Sequence, residues 1–263
     1  MSLKFPISLV GKRGGAALPT PLHWWDLTDL STSAGGGVYD QGIGNWGALR
    51  VPSGNSPAVS TNGSPNGSVD CLDFTPAVGA SDYLDMATAQ AWDGAQDNMT
   101  LCAWVYVDSI SSTRNLIVNW SASLPDYLIG LQVTNSTTDH WIYTLYDSAF
   151  YSALDTSESY GSTGTWYMIV CTYDGTDMVL YKGTTASSPT NDTVATLTQA
   201  GMTWTTNAAG FCIGGNALNL GDGRFAHDGR IFGVGIWDTA LSTDDIDSLW
   251  NNGNGATYAD IWG

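Results

Sequence analysis

The sequence is almost without glutamate: of its 25 acidic residues, all but Glu158 are aspartate. It is also short of positive charge. Eight Lys and Arg are spread over 263 residues, and Lys4, Lys12 and Arg13 fall within the first thirteen. The formal net charge is −17. A body this acidic offers no cationic field to a phosphate backbone, which excludes nucleic acid as a partner. Its excess negative charge keeps an aromatic-rich surface in solution. No run is long and apolar enough to span a bilayer, so no membrane partner is expected. The short apolar run Phe5–Val10 is broken by Pro6 and Ser8 and followed by positive charge, unlike a secretory signal. The four cysteines have no metal-ligand spacing. Cys102, Cys171 and Cys212 lie inside apolar strand-like runs and read as free core thiols, the usage of a chain folded in a reducing cytoplasm. His23, His140 and His227 are scattered and flank no obvious nucleophile.

What the chain does have is Gly, Ser, Thr and Asn, together with twelve Trp and twelve Tyr. That balance favours sheets with many turns. Residues 1–21 read as an extended N-terminal arm that carries much of the positive charge, with Lys4, Phe5, Lys12 and Arg13 as its anchoring residues. Residues 22–263 read as one folded body. Strand-like runs are expected at Val69–Phe74, Met99–Val107, Asn115–Trp120, Tyr127–Val133, Trp141–Tyr146, Thr165–Tyr173, Met178–Tyr181, Thr193–Leu197, Gly210–Gly214 and Gly229–Trp237. Their spacing is that of an all-β antiparallel sandwich. Asp174-Gly175 predicts a two-residue hairpin turn.

One short C-terminal helix is expected in ALSTDDIDSLWNNG. Ser242 is its N-cap and Asp245 completes a capping box, with Ile246, Leu249 and Trp250 on one apolar face and Gly253 at its end. Asp244, Asp245 and Asp247 are read as groups favoured by the helix dipole, not as metal ligands. In Thr165–Tyr173 the residues of both alternating sets are apolar. The second face of that strand must therefore line a groove or be covered by a loop or a neighbouring chain.

Five segments, in order, resemble laminin-G-like domains of the concanavalin A-like lectin/glucanase superfamily: VDCLDFTPAVGASDYLDM, NMTLCAWVYVD, TWYMIVCTYDGTDMVLYKG, FCIGGN and FAHDGRIFGVGIWDTALSTDDIDSLWNNG. The resemblance covers roughly residues 22–253 and implies a jelly roll of two curved antiparallel sheets. Glucanases of this superfamily use a pair of Glu on one strand as nucleophile and acid, and retaining hydrolysis needs two carboxyls about 5 Å apart. With only Glu158 and no Asp-x-x-x-Asp pair on a strand-like run, the chain is expected not to be an enzyme.

Some relatives hold Ca²⁺. Asp222 and Asp228, in the loop NLGDGRFAHDGR, are the candidates for a hard cation. Phe232 stands where many relatives carry an acidic residue, so no cofactor is expected, with Ca²⁺ at this pair as the alternative. Trp120, Trp141, Tyr143 and Tyr146 lie on neighbouring runs and are the candidate sugar platform, since flat aromatics take the C–H faces of sugar rings. Such domains recur on phage capsid and tail proteins. Together with the basic arm, the acidic body and the cytoplasmic style of cysteine use, this leads to one expectation. The chain is a bacteriophage virion structural protein, a capsid decoration or tail/fibre subunit made in the host cytoplasm. Its partners are other virion proteins and further copies of itself, and its outer loops hold cell-surface glycan. A bacterial carbohydrate-binding lectin or adhesin module is the alternative.

Overall fold

The computed structural model describes residues 17–28, 30, 37–44, 47–51, 56–76, 82–86, 90–91, 98–109, 114–120, 127–134, 140–146, 150–154, 162–191, 193–200, 208–215 and 226–262. Among them run the short strands β1 (His23–Trp25), β2 (Gly37–Tyr39), β3 (Ala48–Arg50), β4 (Ala58–Ser60), β5 (Cys71–Phe74), β6 (Leu84–Met86) and β7 (Gln90–Ala91). The longer strands β8 (Met99–Val107), β9 (Arg114–Trp120), β10 (Tyr127–Thr134), β11 (His140–Tyr146) and β12 (Phe150–Leu154) follow. The last are β13 (Trp166–Tyr173), β14 (Asp177–Thr184), β15 (Thr193–Thr198), β16 (Ala208–Ile213) and β17 (Gly229–Trp237), before the helices α1 (Thr243–Trp250) and α2 (Tyr258–Ile261). No helix among the described residues is long and apolar enough to cross a membrane.

The strands form two antiparallel sheets. Sheet A has the order β15-β14-β13-β8-β17-β5-β4, with β1 added on β17; sheet B has the order β12-β11-β10-β9-β16-β6-β3-β2, with β7 on β16. This is the two-sheet sandwich expected from the strand spacing. Between the sheets lies the main core, where Trp25, Phe74, Trp141, Tyr143, Tyr173 and Phe211 are fully buried. All four cysteines are buried and free, as expected.

Strand alternation explains the unusual composition of β13. Tyr167, Ile169, Cys171 and Tyr173 point into the main core. Trp166, Met168 and Val170 point to the other side of sheet A, into a second apolar cluster with Trp24, Trp104, Phe232, Trp237, Ile246 and Leu249. The lid over this cluster is the chain's own C-terminal helix, so the second face of β13 is a second core. Burying each such side chain contributes about 1.5–3 kcal/mol. The central strands β8, β13 and β17 of sheet A therefore read as continuous apolar runs because they are buried on both faces.

Helix α1 forms as the sequence predicts. Ser242 caps it, its side chain accepting from the Asp245 N–H, and the Asp245 carboxylate accepts in return from the Ser242 N–H at 3.1 Å. Asp247 does more than meet the helix dipole: its carboxylate accepts from Ser188 Oγ and, at 2.7 Å, from Thr190 Oγ1. Trp250 Nε1 donates to Thr184 O at 2.7 Å. These bonds fasten the helix to the turn that follows β14. The helix ends earlier than Gly253, at Asn251, whose φ of 51° takes the left-handed cap position. Gly253 instead permits close packing, since a Cβ there would lie 1.9 Å from Thr185 O.

The expected two-residue turn at Asp174-Gly175 is wider. The last β13–β14 pair is Tyr173–Met178. The Asp174 carboxylate accepts from the N–H groups of Thr176 (2.9 Å) and Asp177 (2.8 Å), which stabilises a longer loop than an Asp-Gly pair alone suggests.

The N-terminal chain joins the body before Leu22. Trp237 Nε1 donates to Pro19 O at 2.9 Å and Trp262 Nε1 to Leu18 O at 3.4 Å. Asp26 takes both Trp24 Nε1 and the Tyr258 N–H on one carboxylate oxygen, each at 2.7 Å. Residues 18–26 are thus strapped to the C-terminal segment over the second core. Lys4, Phe5, Lys12 and Arg13 lie outside the described residues.

Candidate functional site

Two of the four residues of the expected sugar platform face into the core. Trp141 and Tyr143 are fully buried in the main core between the sheets, where Trp141 packs edge-on against Tyr167 at 5.9 Å. The physical reason is alternation: with Leu145 they form the inward set of β11, and a flat aromatic is as good a core residue as a sugar platform. Position 120 pairs with Tyr127 and Gly210, and position 146 with Phe150. The side chains of Trp120 and Tyr146 lie outside those described.

Asp222 also lies outside the described residues, whereas Asp228 is well placed. It precedes β17, its carboxylate accepts from Ser109 Oγ, and its carbonyl accepts from the Asp108 N–H at 2.8 Å. Among the described residues no three Asp, Glu, His or Cys side chains group closely enough to hold a metal ion.

A His–Asp pair is present, with His23 Nδ1 2.7 Å from the Asp40 carboxylate. Both side chains have no solvent exposure, and the imidazole is stacked on Trp25 at 5.8 Å. Asp40 also accepts from the Trp24 and Gly42 N–H groups, at 3.0 and 2.9 Å. The pair joins the loop after β2 to β1 and has no access to a substrate.

Asp228 instead leads to a cluster that the sequence reading missed. Hydrogen-bond register sets Trp166 beside Tyr106, Tyr106 beside Arg230, and Arg230 beside Asp73, one row across β13, β8, β17 and β5. The row occupies the outer face of sheet A, at the start of β17. The Arg230 guanidinium lies flat over Tyr106, 3.8 Å from the ring centroid, and 5.9 Å from that of Trp166. Tyr106 and Trp166 are themselves in contact at 5.5 Å. Such stacking fixes a guanidinium without using its N–H donors. The hydrogen bond Arg230 makes is a long one, 3.5 Å to Gly63 O. Among the described residues no ion pair holds it, and most of its five donors have no described partner.

Around it stand Asp73, Asp108 and Asp228. The Asp73 carboxyl is held above its ordinary range by partial burial and by the Asp108 and Asp228 charges, against the opposing pull of Arg230. Asp108 is raised by burial, with Arg230 again opposing and Asp228 reinforcing. Gly229 sets the approach: its φ is +134°, and a Cβ there would lie 2.1 Å from Tyr106 O, so β17 meets β8 closely enough to seat Arg230 on the ring. The signal available beforehand was an arginine inside an apolar strand of a nearly cation-free body. Its neighbours were hidden because register is not written in local sequence.

Comparison with known proteins agrees with this architecture. Residues 78–247 match the Laminin_G_3 family of the concanavalin A-like lectin/glucanases superfamily. No match to a curated protein sequence was found. Domain 4 of an extracellular GH43 arabinanase from Geobacillus stearothermophilus, solved with arabinotriose, is similar in structure. The TM-score is 0.57 at 14% identity, over 87% of this chain and 97% of that one. The heptameric SAP-like pentraxin of Limulus polyphemus gives 0.51 at 16% identity, over 67% and 79% of the two chains. The binding domain of botulinum neurotoxin DC, solved with SialylT, gives 0.59 at 10% identity, over 89% of this chain and 52% of that one. At such low identity these likenesses show the fold. The two sheets, the β13–β14 hairpin, the capped closing helix and a family match over well over half its length place this chain in the laminin-G-like branch of the concanavalin A-like lectin/glucanase superfamily.

Proposed function

We propose that this chain is a non-catalytic glycan-binding module that serves as a structural subunit of a bacteriophage virion. The observation that carries the binding half is the stacked and largely unbonded guanidinium of Arg230 among three carboxylates. A sugar hydroxyl both donates and accepts, and such a row offers it donors and acceptors fixed in advance. The similar arabinanase domain was solved with arabinotriose and the similar neurotoxin domain with SialylT, which supports a glycan as the ligand. A hydrolytic role is disfavoured by the single Glu158 and by the burial of the His23–Asp40 pair.

The virion half rests on the basic arm joined to an acidic body. The chain reaches the body at Trp237, the far end of β17 from Arg230, about 23 Å away at the rise of a strand. An arm held by a particle would leave the row free, and weak sites in many copies would add up.

Binding is tested by titrating the full chain and its Arg230→Ala variant with oligosaccharides, following tryptophan fluorescence. Saturable binding weakened at least tenfold in the variant is expected, and indifference to the substitution would remove the site from this reading. The virion role is tested by sedimenting source lysate and tracking the chain by mass spectrometry. Co-migration with a virus-sized particle through a salt wash is expected. Recovery as a small free species would leave the soluble lectin or adhesin reading in its place.

A further inference from the structure

We infer that the Arg230 row selects neutral, hydroxyl-rich glycans and turns anionic ones away. This rests on the glycan reading above and names the ligand class of that same site. One guanidinium sits among three carboxylates, those of Asp73, Asp108 and Asp228, all of which act electrostatically at this end of the sheet. The local formal charge is therefore negative, and the body around it is strongly acidic. A neutral polyol satisfies both kinds of group: its oxygens accept from the guanidinium and its hydroxyls donate to the carboxylates. A sialic acid, uronate or sulfate would bring a further negative charge beside carboxylates that already repel one another, and like-charge juxtaposition is among the strongest means of rejecting a ligand.

An arginine alone would suggest an acidic ligand, because its fork fits a carboxylate. The three carboxylates reverse that expectation. The rings of Tyr106 and Trp166 do not form an open platform either, since Arg230 covers Tyr106 and Trp166 is 8% exposed. They hold the guanidinium in place, and recognition falls to its donors and to the three aspartates.

The test uses the full chain against two sets of probes by isothermal titration. The neutral set is arabinan, laminarin, mannan and dextran fragments. The anionic set is polygalacturonate, hyaluronate and sialyllactose. At least one neutral probe is expected to bind, and every anionic probe to bind at least about tenfold more weakly at low salt, with the gap narrowing as salt screens the site. Arg230→Ala should weaken neutral binding about tenfold, and Arg230→Lys should not restore it, because the lysine keeps the charge but not the fork. The double variant Asp73→Asn, Asp108→Asn should bind the neutral probe more weakly and the anionic probes more tightly, closing the gap between the two sets.

An anionic probe bound as tightly as the neutral ones, with the same dependence on Arg230, overturns the selectivity and leaves glycan binding standing. Neutral binding unaffected by Arg230→Ala overturns the location. Failure of all probes overturns both the selectivity and the glycan reading beneath it.

Discussion

The second core over sheet A makes a quantitative prediction at Ile246. This residue is fully buried between α1 and the outward side chains of the sheet. Replacing it with Ala removes three carbons, which at about 0.8 kcal/mol each is about 2.4 kcal/mol of lost transfer energy. The cavity left behind adds to that, and the total is about 2.5–4 kcal/mol. With a urea m-value of about 3 kcal/mol/M, the unfolding midpoint should fall by about 1 M. Ser248→Ala, at an exposed position of the same helix, should change stability by no more than about 0.5 kcal/mol. Equilibrium urea unfolding of the three proteins, followed by tryptophan fluorescence and by circular dichroism, measures both effects. If Ile246→Ala lost less than about 1 kcal/mol with an unchanged m-value, the helix would not be sealing that face. The apolar outer set of β13 would then need another explanation, such as an exposed groove.

Two further outcomes follow from the charges and thiols. The Asp73 carboxyl is raised in the folded state by burial first and by neighbouring carboxylates second. A raised carboxyl favours folding where it is protonated, and that contribution is lost as pH rises through the folded value. Asp73→Asn should therefore raise the Tm at pH 7–8, with the gain shrinking toward acid pH; a gain that grows on acidification contradicts the assignment. The Cys71 and Cys102 thiols are pushed up to about 12 by burial, and Cys171 is raised for the same reason. With all four cysteines buried, a thiol reagent at pH 8 should find none within minutes in the native protein and all four in guanidinium. Rapid native labelling would show that the sandwich opens readily.

Much of the fold was legible because each sheet strand carries its own evidence. The runs at Met99–Val107 and Gly229–Trp237 match β8 and β17 at both ends. The capping box at Ser242 and Asp245 is a local device fully written in four residues. The short strands β2, β3, β4 and β6 were not legible, because three residues carry too little alternation to be told from turns.

The site was less legible than the fold. Trp141 and Tyr143 had the right chemistry for a platform, but alternation alone does not say which set of a strand faces inward when both are apolar. Arg230, Tyr106, Trp166 and Asp73 come from four strands distant in sequence, and only the register joins them. Asp228 was singled out for calcium; its described partners are Ser109 and, through charge, Asp108 of this row.

The strap of residues 18–26 has a mechanical consequence. Among the described residues the first bonds to the C-terminal segment are those at Leu18 and Pro19, so tension from the N-terminal side meets these indole bonds before β1. Behind them lies β1, paired antiparallel with β17 through His23–Ile236, Trp24–Gly235 and Trp25–Val234. Under load these contacts give way in sequence, so the strap acts as a fuse that yields while the β8–β17 centre of sheet A keeps its shape. A domain pulled from its N-terminal side would lengthen by the released strap before the start of β17, with Arg230, felt the force.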